Sequence, residues 1–267
     1  MSLYVQSNVE AMNAHDNLLR TSGSLSKAME RLSSGYRINR AADDAAGLAI
    51  SEKLQAQIGG LDQASRNAQD AISLVQTAEG SMSEVHSMLQ RIRELAVQYQ
   101  NGTLSTSDKS AITSEVTQLT DEIERIGNTA QFNGIKLLND SNAAVTFQIG
   151  ANDGDVISVG LVSLGSATAL ASLDLSSSTV LADIDSAIEA VSAQRAQFGA
   201  VQNRLEHTVN NIATYQENLT ASNAQIQDVD MASEMVSFTR LQVLQQAGTA
   251  MLAQANQSPQ TILQLLR

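Results

Sequence analysis

Residues 54–99 read LQAQIGGLDQASRNAQDAISLVQTAEGSMSEVHSMLQRIRELAVQY. Leu54, Leu61, Ala68, Val75, Met82, Leu89 and Ala96 recur at steps of seven. Three residues after each stand Gln57, Ala64, Ala71, Ala78, Val85, Ile92 and Tyr99, all apolar but the first. Two rows spaced this way put an apolar seam along one side of a helix, the a/d pattern of a coiled coil. At about 1.5 Å per residue the helix would extend roughly 70–80 Å. Alanines in the second row allow a partner helix to approach closely. Asn101-Gly102 ends the pattern.

A seam of that length needs a partner, and the chain supplies one. Ile184, Val191, Phe198, Leu205, Ile212, Leu219 and Ile226 again lie seven apart, and Ile188, Val201, Val209 and Tyr215 widen the stripe. Packing the two long helices side by side is the simplest way to bury both. Each Leu- or Ile-sized side chain so buried contributes about 1.5–3 kcal/mol. Between them, Ile112, Val116, Leu119, Ile123 and Ile126 predict a shorter helix, with Ser107 as N-cap and Gly127 as stop. Residues 130–182 change character. Phe132-Asn133-Gly134 signals a turn. Val145, Phe147 and Ile149 alternate with polar residues, and Val156 to Leu161 returns after a turn over Gly150 to Asp155, so a small β-hairpin is expected. The Ser-, Ala- and Leu-rich run 163–179 is expected to be an exposed loop.

Helical spacing also marks both ends. Val5, Val9 and Met12, then Leu25, Met29 and Leu32, predict a helix over 5–33. Met231, Met235, Phe238, Leu241, Leu244, Met251 and Leu252 predict another over 230–256, which Pro259 should interrupt. The expected fold is mainly α: an elongated rod of long antiparallel helices with a β-hairpin region to one side. The terminal segments 1–43 and 228–267 would form one domain and 44–227 the rod.

Composition narrows the function. Of 267 residues 43% are hydrophobic but only 3% aromatic, with no Trp, which suits close-packed helices. Cysteine is absent, excluding disulfides and thiolate metal sites. The first cation is Arg20, so no signal peptide is expected at the N-terminus, and no apolar run approaches membrane-spanning length. Export without a cleaved signal stays open. The net charge is −12, unevenly spread. Residues 1–40 balance Arg20, Lys27, Arg31, Arg37 and Arg40 against Glu10, Asp16 and Glu30, and 228–267 hold only Arg240 and Arg267 against Asp228, Asp230 and Glu234. The ends are close to neutral and the middle carries the negative charge. Such a surface disfavours nucleic acid.

No residues assemble into catalytic, cofactor or metal chemistry. His15, His86 and His207 lack ligand spacing. Asp153-Gly154-Asp155 lacks the bidentate Glu of a calcium loop and reads as a turn. Asp43-Asp44 reads as a helix cap. Asn101-Gly102-Thr103 and Asn218-Leu219-Thr220 match the glycosylation sequon by pattern alone.

Several strings resemble bacterial flagellins in that family's order: LSSGYRINR (32–40), AADDAAGLAI (41–50), ASRNAQD (64–70), LQRIRELAVQ (89–98), QFNG (131–134), QIGANDG (148–154), QNRLEHT (202–208), LQQAGTAMLAQANQSPQ (244–260) and the LLR ending. The resemblance covers nearly the whole chain. It implies a non-enzymatic structural subunit that polymerises into the extracellular flagellar filament for motility, in a short form without variable outer domains. It further implies secretion, unfolded, through the flagellar type III apparatus, an export chaperone at the C-terminal helix, and filament cap and junction proteins as partners. A hook–filament junction protein of the same superfamily is the alternative. A surface-active lipid-binding helical protein, which would stay monomeric, is a rival of another class. Self-assembly is expected on the terminal helices, through Val5, Val9, Met12, Leu25, Met29, Leu32, Leu241, Leu244, Met251, Leu252, Leu263, Leu265 and Leu266, in addition to any helix pair within the chain. The resemblance also matches Arg91, Leu95 and Glu115 to residues through which Toll-like receptor 5 of a host recognises flagellins. An interhelix contact explains Arg91 and Glu115 as well.

Overall fold

The computed structural model describes residues 7–139, 144–161, 163–164 and 174–265, with side chains described as far as residue 257. In chain order the elements are α1 (Val9–Ser34), α2 (Ala45–Tyr99), α3 (Thr106–Thr129), β1 (Gln131–Phe132), β2 (Ile135–Lys136), β3 (Ala144–Gln148), β4 (Val156–Gly160), α4 (Val180–Gln227) and α5 (Met231–Leu265). They form two compact units, one made of Met1–Ala56 with Asn218–Arg267 and the other of Gln57–Glu217. The fold is mainly α with long helices, as the periodicity predicts.

In the second unit the two seams meet. Leu61, Ala64, Ala68, Ala71, Val75, Ala78, Met82, Val85, Leu89, Ile92 and Ala96 of α2 are buried, as are Ile184, Val191, Phe198, Leu205 and Ile212 of α4. Polar pairs at their margins fix an antiparallel register. Arg93 Nε donates to Asp185 Oδ1 at 2.6 Å, Arg195 Nη2 to Glu79 Oε1 at 2.9 Å, and Gln216 Nε2 to Asp62 Oδ1 at 2.7 Å. Leu74 and Leu95, outside the seven-step rows, are buried too. The face of α2 is therefore wider than a two-helix seam needs. Ile112, Val116 and Ile123 of α3 and Ile157 and Val159 of β4 belong to the same core cluster.

The hairpins follow from turn chemistry. β1 and β2 pair through Phe132 and Ile135, leaving Asn133-Gly134 as a two-residue turn. Both have positive φ, 49° and 80°, the combination that Asn-Gly favours in a primed turn. β3 and β4 pair antiparallel from Ala144 opposite Gly160 to Gln148 opposite Val156. Their loop closes tightly. A Cβ on Gly150 would sit 2.4 Å from that of Asp155, so only glycine fits there.

Five expectations need correction. The N-cap of α3 is Ser105, not Ser107. Its hydroxyl accepts from the Asp108 amide while the Asp108 carboxylate accepts from the Ser105 amide, a reciprocal cap that Ser107 has no partner for. The Ser105 hydroxyl also holds the Asp108 carboxyl below its ordinary range. Gly127 does not stop α3. It lies inside the helix, and a Cβ there would meet Leu164 at 3.4 Å. The run 163–179 is not simply an exposed loop, because Leu164 and Leu175 are buried in the core cluster; residues 165–173 lie outside the described residues. Tyr215 does not widen the buried stripe but is about half exposed. Finally, Pro259 does not end the last helix, which continues to Leu265. The way this is achieved belongs to the first unit.

Candidate functional site

The first unit is built on α1 and α5, which pack antiparallel. Asn8 meets Ala255, Leu18 lies under Gly248, and Arg31 reaches Glu234 at 4.0 Å. Among the half-buried or buried positions on α1, Ala11, Ala14, Leu18, Thr21, Leu25, Ala28 and Leu32 form a row at alternating steps of three and four. On α5 the corresponding row is Phe238, Leu241, Gln245, Gly248, Leu252 and Ala255. These rows are the seam between the two helices. At its centre Gly248 admits Leu18: a Cβ at 248 would stand 3.3 Å from Leu18 Cδ1.

At the far end of the pair Asn8 does two things. Its Oδ1 accepts from the Ala11 amide at 3.0 Å, capping α1. Its Nδ2 donates to the Ala255 carbonyl at 2.8 Å. In a continuous helix that carbonyl would accept from residue 259, but Pro259 has no N–H to give. The side-chain amide of Asn8 thus fills the vacancy that proline leaves, which is how α5 passes Pro259 with its backbone satisfied.

At the other end the two connectors are tied together. Gly35 closes α1 in the left-handed conformation, with φ of 77°. Tyr36 and Asp228 then form an isolated antiparallel bridge. The Arg37 amide donates to Gln227 O at 2.7 Å, the Val229 amide to Gly35 O at 3.0 Å, and Arg37 Nη2 to Ile226 O at 2.6 Å. Asp44 caps α2 through the Gly47 amide, as expected, and Asp230 caps α5 through the amides of Ala232 and Ser233. The buried Ser51 hydroxyl lies 2.7 Å from Asn223 Oδ1 and 2.9 Å from Gln227 Oε1.

Against this frame the expected assembly residues divide. Leu25, Leu32, Leu241 and Leu252 are half-buried in the seam rows. Val9, Met12, Met29, Leu244 and Met251 are exposed. Val5 and Leu266 lie outside the described residues, and the side chains of Leu263 and Leu265 are likewise not described. Leu19, Met231, Met235, Val236 and Val243 join the exposed set. Leu19, Val236 and Val243 were missed because the apolar repeats read along the two helices pass over them, although those repeats take in exposed residues such as Met12 and Met251 as well as the seam. The signal for them is the converse, an apolar residue out of step with the seam. On α5, Met235, Val236, Thr239, Arg240, Val243 and Leu244 line a shallow groove of about 520 Å³. Among residues 231–257 of α5 none is buried.

The second unit carries two further features. Arg91 bonds Glu115 through Nε at 3.1 Å and Nη2 at 2.9 Å, and Glu94 through Nη1 at 3.2 Å. The Glu115 carboxylate, then that of Glu94, raise the already high pKa of the guanidinium. Leu95 does not share that surface; it is 2% exposed and sits in the core. A groove of about 670 Å³ runs between the β3–β4 loop and the helices, with Arg204, His207 and Tyr215 on one wall and Asp155 on the other. Among the described residues no three His, Asp or Glu side chains group as a metal site, and no helix is long and apolar enough to cross a membrane.

Comparison with known proteins matches both ends of the chain. The bacterial flagellin N-terminal helical region matches residues 5–143, and the bacterial flagellin C-terminal helical region matches residues 181–266. A flagellin of Halalkalibacterium halodurans is 54% identical over 272 residues, covering 99% of this chain and all of the relative. A flagellin of Bacillus subtilis is 47% identical, covering 98% of this chain and 99% of the relative. The crystal structure of Bacillus cereus flagellin superimposes with a TM-score of 0.52 at 30% identity, over 59% of this chain and 94% of that one.

Proposed function

Because the chain belongs to the bacterial flagellin family, in a short form of about 270 residues, we propose that it is a structural subunit of the flagellar filament whose terminal helices make the contacts between copies. The observation that carries the reading is the double-sided character of α1 and α5. One side of each forms the seam of the pair, and the other side presents Val9, Met12, Leu19, Met29, Val236, Val243, Leu244 and Met251 to solvent. Large apolar side chains gathered in such number on the outer surface of two paired helices suit an interaction site. The near-neutral ends remove the like-charge repulsion that would oppose a homopolymer.

Domain roles follow. Segments 1–43 and 228–267 serve assembly, and 44–227 serve as the self-sufficient scaffold. The chain passes the flagellar type III apparatus unfolded and joins the filament outside the cell, with an export chaperone holding α5 beforehand and cap and junction proteins at the filament tip and base. A junction-protein role is not favoured, since the relatives matched end to end are flagellins. Toll-like receptor 5 of a host would meet the Arg91–Glu115 pair, with Leu95 supporting it from beneath.

Purified protein seeded with filament fragments should elongate into filaments visible by electron microscopy. Protein that stays monomeric under those conditions overturns the reading.

A further inference from the structure

Methionine is distributed unevenly. Of the eight in the chain, Met82 is fully buried and Met88 packs against the core of the second unit. Met12, Met29, Met231, Met235 and Met251, all in the first unit, are each between 48% and 65% exposed. Met1 lies outside the described residues. The pairing of Asn8 with Ala255 and of Arg31 with Glu234 sets the register of the five. Met12 stands nearly level with Met251, and Met29 nearly level with Met235. The exposed thioethers therefore fall into two groups, one toward each end of the helix pair, on faces that the seam does not use.

Resting on the filament-subunit reading, we infer that these five methionines are oxidant-responsive modification sites, and that their conversion to sulfoxides by a peroxide withholds the subunit from assembly. A thioether adapts to irregular apolar neighbours, which suits a face that repacks against other copies. The same sulfur is the part of such a face open to oxidation. Its lone pair attacks a peroxide oxygen, the O–O bond breaks, an S–O bond forms, and the other oxygen leaves as water. The sulfur loses two electrons and the peroxide gains them. The product is polar and chiral, and it disrupts Met-rich interfaces. In the single chain the five side chains are each about half exposed or more. Neighbouring copies would cover them in the polymer, so the switch acts before assembly and is silent after it. Reduction by the two methionine sulfoxide reductases, one per epimer, restores the original face.

The test treats intact monomer with hydrogen peroxide, maps sulfoxides by peptide mass spectrometry, and follows seeded elongation. The five exposed positions should oxidise before Met82 and Met88. The subunit concentration needed for elongation should rise by about tenfold for each methionine whose burial is lost, and both reductases together should restore it. A variant carrying Met12→Leu, Met29→Leu, Met231→Leu, Met235→Leu and Met251→Leu keeps the apolar area and should elongate equally with or without peroxide. Equal oxidation rates at all sites, undiminished elongation of oxidised protein, or failure of the reductases to restore it would each overturn the inference, as would full peroxide sensitivity of the leucine variant. Should that variant not fold, the site map and the reductase arm decide alone. Untreated wild-type protein that does not elongate counts instead against the filament reading.

Discussion

The Asn8 amide is placed where its two jobs can be separated by mutation. Asn8→Asp keeps an oxygen for the Ala11 amide but removes the donor to Ala255 O, whereas Asn8→Ala removes both. A neutral hydrogen bond to a half-buried carbonyl is worth about 1 kcal/mol net, and an N-cap about the same. Asn8→Asp should then cost about 1 kcal/mol and Asn8→Ala about 2 kcal/mol of local stability in the α1–α5 pair. The distinctive expectation concerns Pro259. Pro259→Ala returns an N–H to the helix ladder, so the Ala255 carbonyl no longer needs Asn8. In that background Asn8→Asp should cost close to nothing, giving a coupling of about 1 kcal/mol across 251 positions of sequence. Amide hydrogen exchange of the intact protein reads this directly. Exchange around residues 9–13 and 252–257 should rise about fivefold in Asn8→Asp, and should not rise when Pro259→Ala is also present. Equal acceleration in both backgrounds would mean that the amide does not stand in for the missing N–H.

The core of the second unit should be intolerant of truncation. Leu89→Ala removes a fully buried seam residue and should lower unfolding stability by about 2–5 kcal/mol in urea titrations, while the exposed Leu244→Ala should change it by under about 0.5 kcal/mol and instead impair elongation. Asp108, Glu122 and Asp185 are held below the ordinary carboxylate range, chiefly by side-chain hydrogen bonds from Ser105, Arg125 and Arg93 respectively. Their contribution is complete above the unfolded carboxylate pKa of about 4 and disappears as pH falls through the lower folded values. The melting temperature should therefore drop on acidification below that point, and less steeply in Asp185→Asn; parallel curves would deny Asp185 its part. Gly134→Ala forces a Cβ onto a backbone at φ of 80° and should cost about 1–2 kcal/mol, seen as a lower melting temperature by circular dichroism, with an unchanged value counting against the primed turn. Deleting residues 255–267 should abolish elongation while the second unit stays folded by circular dichroism; normal filaments from that truncation would refute the role given to α5.

The long helices were legible because a seven-step apolar row has one economical solution. Leu61 through Ala96 and Ile184 through Ile212 occupy the buried positions their spacing assigns. Asn133-Gly134 was legible for a different reason, since few dipeptides accept two positive φ angles. What escaped was whatever depends on a partner distant in sequence. Gly127 reads as a stop until Leu164 is known to lie against it. Pro259 reads as a break until Asn8 is seen at the Ala255 carbonyl. Ser107 and Ser105 are both capable caps, and Asp108 decides between them by returning a hydrogen bond to the Ser105 amide. The assembly face was half legible. Periodicity finds residues that repeat in step, and on α1 and α5 those divide between the seam (Leu25, Leu32, Leu241 and Leu252) and the exposed side (Val9, Met12, Met29, Leu244 and Met251), while it passes over the exposed Leu19, Val236 and Val243.

That division also explains why a subunit of this kind would couple folding to assembly. The described part of α1 buries only Ala28, and residues 231–257 of α5 bury nothing. A helix whose seam is only half-buried, as that of α5 is through residue 257, gains little to offset the entropy of ordering its backbone, about 1–2 kcal/mol per residue. In globular proteins helical stability comes mainly from packing an amphipathic face rather than from propensity. The outward residues supply that missing burial only when another copy covers them. The order of α1 and α5 should then depend on protein concentration, as stability does whenever association selects the folded form. The second unit, with Phe198, Leu89 and Ile92 already sealed, should not share that dependence. Hydrogen exchange across a dilution series separates the two: protection in α5 that is independent of concentration would show the terminal pair to be stable alone, and would remove the physical reason for it to seek a neighbour.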